Sequence, residues 1–537
     1  MKRNLIPDLC RTLLLCFGIA GLAFSETFMV PMRDGTNLAL DCYMPGEGGP
    51  AYPVVLVRST YDRGGGAMMA PVFTGRGYAF AIEDTRGRGG SDGKDTAFGD
   101  DGWGKNQDGM DTVEWLRKQP WCNGKIATWG ESALGITQLF MAAAGASVDA
   151  QAVGLAASDF FGQGVYQGGV FRKGLIDTWL TQQGIPDVLA LWHGHPAYDD
   201  FWTFYNTEPR AAQANAPAVH WGAWFDIFNQ GTINSFVAWQ HSGGPHAKGN
   251  QKLIMGPWTH GPKQRSGEMK FPENFNFDIP EYELRFYDYW LKGVDNGIMK
   301  EPAVHYYTMG DCSDPSAPGN EWRTADDWPP FATQETPFCL TQDGSLTSDI
   351  SALAEGTRSF TYDPKDPCPT VGGQNLFQPS GPHDQRKVSS RPDVLKFVSL
   401  PLDAPLEVTG NVKVRLNVST DAPDTDFTAK LVDIYPDGRE MLMLDGIQRL
   451  KFRNGREEAQ PLTPGEVGTV TIDLWSISLI FNKGHQIGVH ISSSNYPRFE
   501  LNPNTGEDFP EGDLRPARNT VHTGGQNPSA ILLPVRK

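Results

Sequence analysis

The sequence predicts an α/β domain built on a mostly parallel sheet, interrupted by a helical insertion and followed by an all-β sandwich. Three observations carry this expectation. Short apolar runs alternate with helical patterns over 26–157 and again from 216 to 335. The alternation breaks over 158–215, where aromatic and glycine-rich segments (Phe160, Phe161, Tyr166, Phe171) lead into helical-looking stretches at 174–206. From 336 to 537 helical patterns vanish and β-branched, alternating segments replace them. A chain of 537 residues has room for this, since domains usually take about 100–200 residues each.

Taken in order, residues 1–25 read as a secretory leader. Lys2, Arg3 and Arg11 supply a positive start, an apolar run follows from Leu13 to Phe24, and Ala23-Phe24-Ser25 offers small residues where a signal peptidase cuts. The run is too short for a membrane span, which needs about 20 residues. Thr27–Pro31 and Asn37–Met44 alternate as strands around an Asp34-Gly35 turn. Pro53–Val57 and Tyr78–Asp84 read as buried strands, and Asp108–Lys118 as a helix ending before Pro120. Lys125–Trp129 is a further strand, followed by an apolar helix at Ser132–Ala144. After the insertion, Ala218–Trp221 and Lys252–Met255 resume the strands, and Glu281–Lys292 reads as a helix. Asp, Pro, Ser and Gly concentrate around 311–336, marking a boundary. Strands of the sandwich are expected at Val408–Thr420, Thr428–Tyr435, Val467–Leu474 and Gln486–Ser493.

Composition narrows the function. The formal net charge is −17 and no Lys/Arg-rich run exists, which speaks against a nucleic-acid partner. No stretch beyond the leader is long and apolar enough to insert stably in a membrane. Of seven Cys, Cys10 and Cys16 fall in the leader. Cys42, Cys122, Cys312, Cys339 and Cys368 remain, an odd number without a Cys-x-x-Cys spacing. Cys339 and Cys368 could pair in an oxidising compartment, or stay as buried thiols. The expected location is secreted or periplasmic.

Chemistry concentrates at Gly130-Glu131-Ser132-Ala133-Leu134-Gly135, between a strand and a helix. A tight strand–turn–helix pushes a Ser hydroxyl to the top of a sheet, and small residues let the turn pack closely. The helix N-terminus favours developing negative charge. Here the closing Gly falls one position later than in G-x-S-x-G. A capping Ser in an ordinary turn is the plainer reading of this segment alone. A Ser nucleophile needs a base and an orienting carboxylate, in the chain order Ser, acid, His. Asp226 and His260 each lie just past a predicted strand, at the edge where such sheets carry their sites.

The chain resembles the CocE/NonD family of serine hydrolases, which includes cocaine esterases, Xaa-Pro dipeptidyl peptidases, α-amino acid ester hydrolases and glutaryl acylases. The resemblance rests on Arg58–Arg63, Asp84–Gly93, Asp108–Leu116, Gln119–Gly124, the Ser132 turn, Trp224-Phe225-Asp226, Gly256–Gly261, Tyr287–Gly293, Asp424–Phe427 and Tyr435–Gly438. It implies an α/β-hydrolase domain, a helical cap and a C-terminal jelly-roll. It further implies Ser132 as nucleophile, Asp226 as triad acid and His260 as general base. Tyr61 and the backbone N–H of Ala133 would form the oxyanion hole. The family usually has Tyr after the Ser; with Ala133 the main-chain donor is kept and the acyl pocket is reshaped.

Other features read as structural. Arg86-Gly87-Arg88-Gly89-Gly90 lacks the Lys-Ser/Thr of a phosphate loop. His193, His195, Asp199 and Asp200 lack further ligand spacing, and Asp421, Asp424 and Asp426 lack a closing acidic ligand, so neither metal nor cofactor is expected. Trp179, Trp192, Trp202, Phe204 and Tyr205 read as core sooner than as acyl-pocket lining. Asp226 is followed by Ile227-Phe228-Asn229-Gln230, without the carboxylate that family members use to hold an α-ammonium. Asp159, Asp199 or Asp200 would have to supply it. The expected substrate is a small ester or amide with an uncharged or hydrophobic acyl group. Xaa-Pro dipeptidyl-peptidase-like or β-lactam (glutaryl) acylase activity is the alternative, and an idle hydrolase-fold binding protein a further one. The sequence leaves homo-oligomerisation open.

Overall fold

The computed structural model describes residues 25–46, 49–349, 353–510, 512–525 and 528–537; apart from its last residue, Ser25, the leader lies outside them. A ten-stranded sheet holds β1 (Ser25–Pro31), β2 (Asn37–Tyr43), β3 (Tyr52–Ser59), β4 (Ala79–Asp84), β5 (Cys122–Glu131), β6 (Ala150–Gly154), β7 (Ala218–Ala223), β8 (Gln251–Gly256), β9 (Val304–Thr308) and β10 (Glu321–Ala325). Their spatial order is β1-β2-β4-β3-β5-β6-β7-β8-β9-β10. Pairing is parallel from β4 through β9 and antiparallel at both ends. Strands β4, β6, β7 and β8 are buried throughout, which is why β4, β7 and β8 read as apolar runs without alternation.

Helices cover both faces: α1 (Gly66–Thr74), α2 (Asp108–Arg117), α3 (Ala133–Ala143), α4 (Lys173–Gln183), α5 (Pro186–His193), α6 (Asn229–Ser242) and α7 (Ile279–Lys292). The Asp278 carboxylate accepts from the Glu281 N–H at 3.2 Å to start α7, and Gly293 in the left-handed region ends it. Its apolar face buries Tyr282, Phe286 and Tyr287, and the Tyr287 hydroxyl donates to the Thr128 carbonyl of β5 at 2.8 Å. Two helices and three strands of this sheet, β6, β9 and β10, escape the sequence reading. In α1 three glycines precede a helix that contains Pro71, and in α6 the polar Asn229, Gln230 and Asn234 sit where an apolar stripe would be sought. Strands β9 and β10 lie beside the apparent boundary at 311–336.

The insertion between β6 and β7 carries α4 and α5 over the carboxyl edge. Trp192 and Trp202 are fully buried within it, packed with Phe160, Phe161, Tyr166 and Tyr205. The second large sheet starts at Thr333–Leu340 and contains eleven strands, among them Leu406–Thr420 paired with Gly468–Phe481. One hydrophobic core runs from the hydrolase sheet into this sandwich, joining Trp224, Phe225, Ile233 and Met255 to Val412, Ile477 and Leu479. Cap and sandwich are also joined, by Lys173 to Glu500 at 2.9 Å and by the ion pair of Arg456 with Asp159. All five described cysteines are free thiols, so Cys339 and Cys368 are unpaired; each sits buried in its own small cluster.

The cap–sandwich seam turns on Gly168. It lies in the left-handed region, its carbonyl accepts from the Arg449 N–H at 2.9 Å, and a Cβ there would overlap the Ile447 carbonyl oxygen. Gly184 is also left-handed, with open space around it. Gly184→Ala should therefore cost about 1–2 kcal/mol of backbone strain. Gly168→Ala should cost more than about 3 kcal/mol, through strain and backbone overlap together. Thermal unfolding of the two variants checks this; equal shifts in Tm would contradict the packing.

Candidate active site

Five residues singled out in the sequence stand on loops at the carboxyl edge of the sheet: Tyr61 after β3, Ser132 and Ala133 after β5, Asp226 after β7 and His260 after β8. Ser132 has φ +57° and ψ −126°, a strained conformation for a residue with a side chain. The turn is fixed on both sides. The Ser132 N–H donates to the Gly154 carbonyl of β6 at 2.9 Å, and the Ser132 carbonyl accepts from Gly135 and Ile136. A Cβ on Gly130 would come within 2.5 Å of the Leu134 Cβ, and one on Gly135 within 2.7 Å of the Gly154 carbonyl oxygen. The displaced second glycine is thus required where it stands, by the approach of α3 to β6. Ala133 opens α3, so its N–H is one of the first-turn amides that a helix cannot satisfy internally.

Asp226 is fully buried. One carboxylate oxygen meets His260 Nδ1 at 2.5 Å, and the other accepts the Phe228 N–H at 2.8 Å. Burial alone would pull the His260 pKa down, but Asp226, by charge and hydrogen bond, and Glu131 by charge outweigh it, and the net shift is upward. With Nδ1 committed to Asp226, Nε2 is the nitrogen left to exchange a proton. His260 leaves β8 at the same edge of the sheet at which the Ser132 turn leaves β5.

The Tyr61 residue is 49% exposed, yet its hydroxyl end is enclosed, with Trp179 and Ser132 as its neighbours. Burial raises its pKa, so the phenol keeps its proton and can donate. The Arg86–Gly90 stretch holds this tyrosine. Arg88 donates from Nε to the Thr60 carbonyl at 2.7 Å and from Nη1 to the Gln183 carbonyl of the cap at 2.8 Å. A side chain at Gly89 would overlap the Asp84 carboxylate, which pairs with Arg63 at 2.6 Å. The loop is a brace between β3, β4 and the cap.

Of the five cap aromatics, Trp179 neighbours the Tyr61 hydroxyl, Trp192, Trp202 and Tyr205 are buried in the cluster that fills the cap, and Phe204 is exposed. Asp159, Asp199, Asp424 and Asp426, among the acidic residues considered for an ammonium or a metal, are engaged elsewhere. Asp159 is paired with Arg456, and Asp199 holds His195 Nδ1 at 2.6 Å. Asp426 holds Arg449 at 2.9 Å, and Asp424 accepts the Lys451 N–H at 3.0 Å. Sequence reasoning passed over Glu131, half-buried at the end of β5, and Glu283, buried on α7. A charged residue on an otherwise apolar strand was the available signal.

Comparison with known proteins agrees with this layout. Residues 34–187 and 180–262 match the model of the X-Pro dipeptidyl-peptidase (S15 family), and residues 296–532 that of the X-Pro dipeptidyl-peptidase C-terminal non-catalytic domain. A cocaine esterase of Rhodococcus sp. (strain MB1 Bresler) is 33% identical over 96% of this chain and 98% of its own. A putative serine esterase of Mycobacterium bovis is 26% identical over 90% and 92%. Among solved structures, an α-amino acid ester hydrolase superposes with a TM-score of 0.81 at 24% identity, covering 100% of both chains. With its full-length relationship to cocaine esterase and both halves matched, the chain belongs to the CocE/NonD family of serine hydrolases acting on esters or amides.

Proposed function

We propose that the protein hydrolyses carboxylic esters with an uncharged or apolar acyl group, through an acyl-enzyme on Ser132. The 2.5 Å contact between His260 and buried Asp226 carries the reading, because a buried carboxylate that fixes one imidazole nitrogen leaves the other as a base. His260 Nε2 takes the Ser132 proton as Oγ attacks the carbonyl carbon. The Tyr61 hydroxyl and the Ala133 N–H receive the oxyanion. His260 returns the proton to the leaving alkoxide, and water repeats the sequence on the acyl-enzyme.

The acyl preference follows from where the anions are. An α-ammonium needs a free carboxylate near the acyl carbon. Ile227, Phe228, Asn229 and Gln230 follow Asp226, while Asp159 and Asp199 are already bound to cations or imidazole. Butyrate and benzoate esters should therefore turn over well ahead of glycyl or alanyl esters and Xaa-Pro anilides. A reversed order would favour the dipeptidyl-peptidase reading. We also infer that residues 1–25 direct export and are cleaved, on the leader pattern; N-terminal sequencing of the protein from the producing cell should begin at Glu26, and an intact Met1 would contradict it.

Tyr61→Phe should lower kcat about 10²–10³-fold with little change in KM, as expected for one oxyanion donor. Asp226→Asn should lower kcat by about 10⁴. In the wild type, activity rises as His260 loses its proton. Since the pKa of His260 is raised, the acid limb of kcat/KM should lie above the ordinary imidazole value of about 6.5. Removing the Asp226 charge should move that limb downward. Ester-hydrolysis profiles across pH 5–9 check both; a limb that Asp226→Asn leaves in place would contradict the pairing.

A further inference from the structure

Helix α6 follows the triad loop, and one of its faces forms the wall of a cleft. Gln230, Ile233, Asn234, Val237 and Ala238 line it, at the i, i+3, i+4, i+7 and i+8 spacing of a single helix face. The cleft measures about 580 Å³, inside the range of about 300–1,000 Å³ that small-molecule sites occupy. Its other wall comes from the sandwich, with Glu335 on Thr333–Leu340, Asn411 on Leu406–Thr420 and Ser476 on Gly468–Phe481. Pairing is irregular there. The register of Leu406–Thr420 shifts between Val412 and Lys413 against Gly468–Phe481, and between Val408 and Lys413 against Ala530–Arg536. Such bulges bend a strand and interrupt its ladder. None of Tyr61, Ser132, Ala133, Asp226 and His260 lines the cleft, so it is separate from the acyl site.

The polar side of the cleft is a directed chain of hydrogen bonds. Ser476 Oγ donates to Gln230 Oε1, Gln230 Nε2 to Asn234 Oδ1, and Asn234 Nδ2 to Glu208 Oε1, each at 2.8 Å. Glu208 Oε1 also accepts from Ser158 Oγ at 2.8 Å and from Gln163 Nε2 at 3.0 Å. These donors are all neutral, and no described residue donates to Oε2. A carboxylate oxygen is an acceptor only, so Glu208 is fixed in place with its charge unpaired and one oxygen open to a donor. Asn411 Oδ1 likewise has no donor among the described residues. Glu335 adds a second carboxylate at an exposed strand position, and no Lys, Arg or His lines the cleft. Its apolar side is rigid. Trp328 is 7% exposed and packs on Trp224 at 5.7 Å and Tyr306 at 6.0 Å between ring centroids.

An occupant has to supply what these walls lack, which is positive charge on N–H donors, together with apolar surface. A divalent metal does not meet the need, since no group of three His, Cys, Asp or Glu among the described residues is placed to hold one. An alkylammonium does: its N–H bonds to a carboxylate are charge-assisted, and its body and charge both suit a tryptophan wall. We infer that the cleft is a second binding site, for a small organic ammonium with an apolar body. The nitrogen sits at Glu208 Oε2, and the body lies against Trp328 and the apolar residues of α6.

The test titrates the protein calorimetrically with 4-phenylbutylammonium chloride and with 4-phenylbutanol, its uncharged counterpart, and solves the crystal structure of the ammonium complex. One ammonium should bind per chain, in the cleft, and the alcohol should bind at least about tenfold more weakly. Glu208→Gln keeps the shape and the neutral contacts; it should weaken the ammonium about tenfold and leave the alcohol unchanged. Glu335→Lys places a cation at the cleft and should also weaken the ammonium. No saturation up to about 10 mM overturns the inference, and so do equal affinities for ammonium and alcohol. Density beside Ser132 with none in the cleft overturns it too. If Glu208→Gln does not fold, Glu335→Lys decides, because its position is exposed: unchanged affinity overturns the site, and weakened affinity supports it.

Discussion

A carboxylate taken wholly out of water keeps its charge only if its lone pairs are met. Asp226 meets that condition through His260 on one oxygen and the Phe228 N–H on the other. Both partners depend on loops that leave adjacent parallel strands, β7 and β8, at the same edge. The loop after β7 is held from three directions. Arg172 of the cap donates to the Ile227 carbonyl at 3.1 Å, Asn229 donates to the Trp224 carbonyl at 2.8 Å and to the Ser476 carbonyl at 3.0 Å, and the Trp224 indole donates to the Tyr307 carbonyl at 2.7 Å. Placing one buried charge thus engages the sheet, the cap and the sandwich together.

This gives the sandwich a physical role without chemistry of its own. It supplies the backbone carbonyl of Ser476, half of a shared core, and the Arg456 and Glu500 partners that hold the cap down. Buried Arg172 belongs to the same arrangement. Among the described residues it has no carboxylate in an ion pair with it; burial and then Arg498 lower its pKa to about 9, and Asp226 and Asp445 hold it up. At neutral pH it is a cation at some distance from Asp226, lying over Trp475 of the sandwich. Asp226 thus feels a cation of the cap, which residues of the sandwich in turn act on.

Much of this was legible in the sequence, for identifiable reasons. Strands buried on both faces announce themselves as apolar runs, so β3, β4, β5, β7 and β8 were visible, whereas the short β6, Ala150-Gln151-Ala152-Val153-Gly154, was not. The Ser132 turn was visible because a strand, a small-residue turn and an apolar helix follow one another directly. The late glycine at 135 became intelligible only with the distance from α3 to the Gly154 carbonyl, a contact between elements that sequence spacing does not contain. Asp226 and His260 stood out by position after strands, whereas Glu131 and Glu283 did not. Glu283 is recognisable only in the folded chain, where helix α7 brings it to the Trp129 indole of β5 from 154 residues away. Arg88 was likewise read as part of a structural loop, and its grip on Thr60 needed the folded chain.

The central claim is that Ser132 is a nucleophile made reactive by His260. The most direct measurement is the intact mass and peptide map of the protein trapped with a slowly deacylating ester or carbamate. The account predicts one acyl group per chain, carried on the peptide containing Ser132, and none on Ser132→Ala. An unmodified protein that still turns over ester, or a label on any other residue, would contradict it.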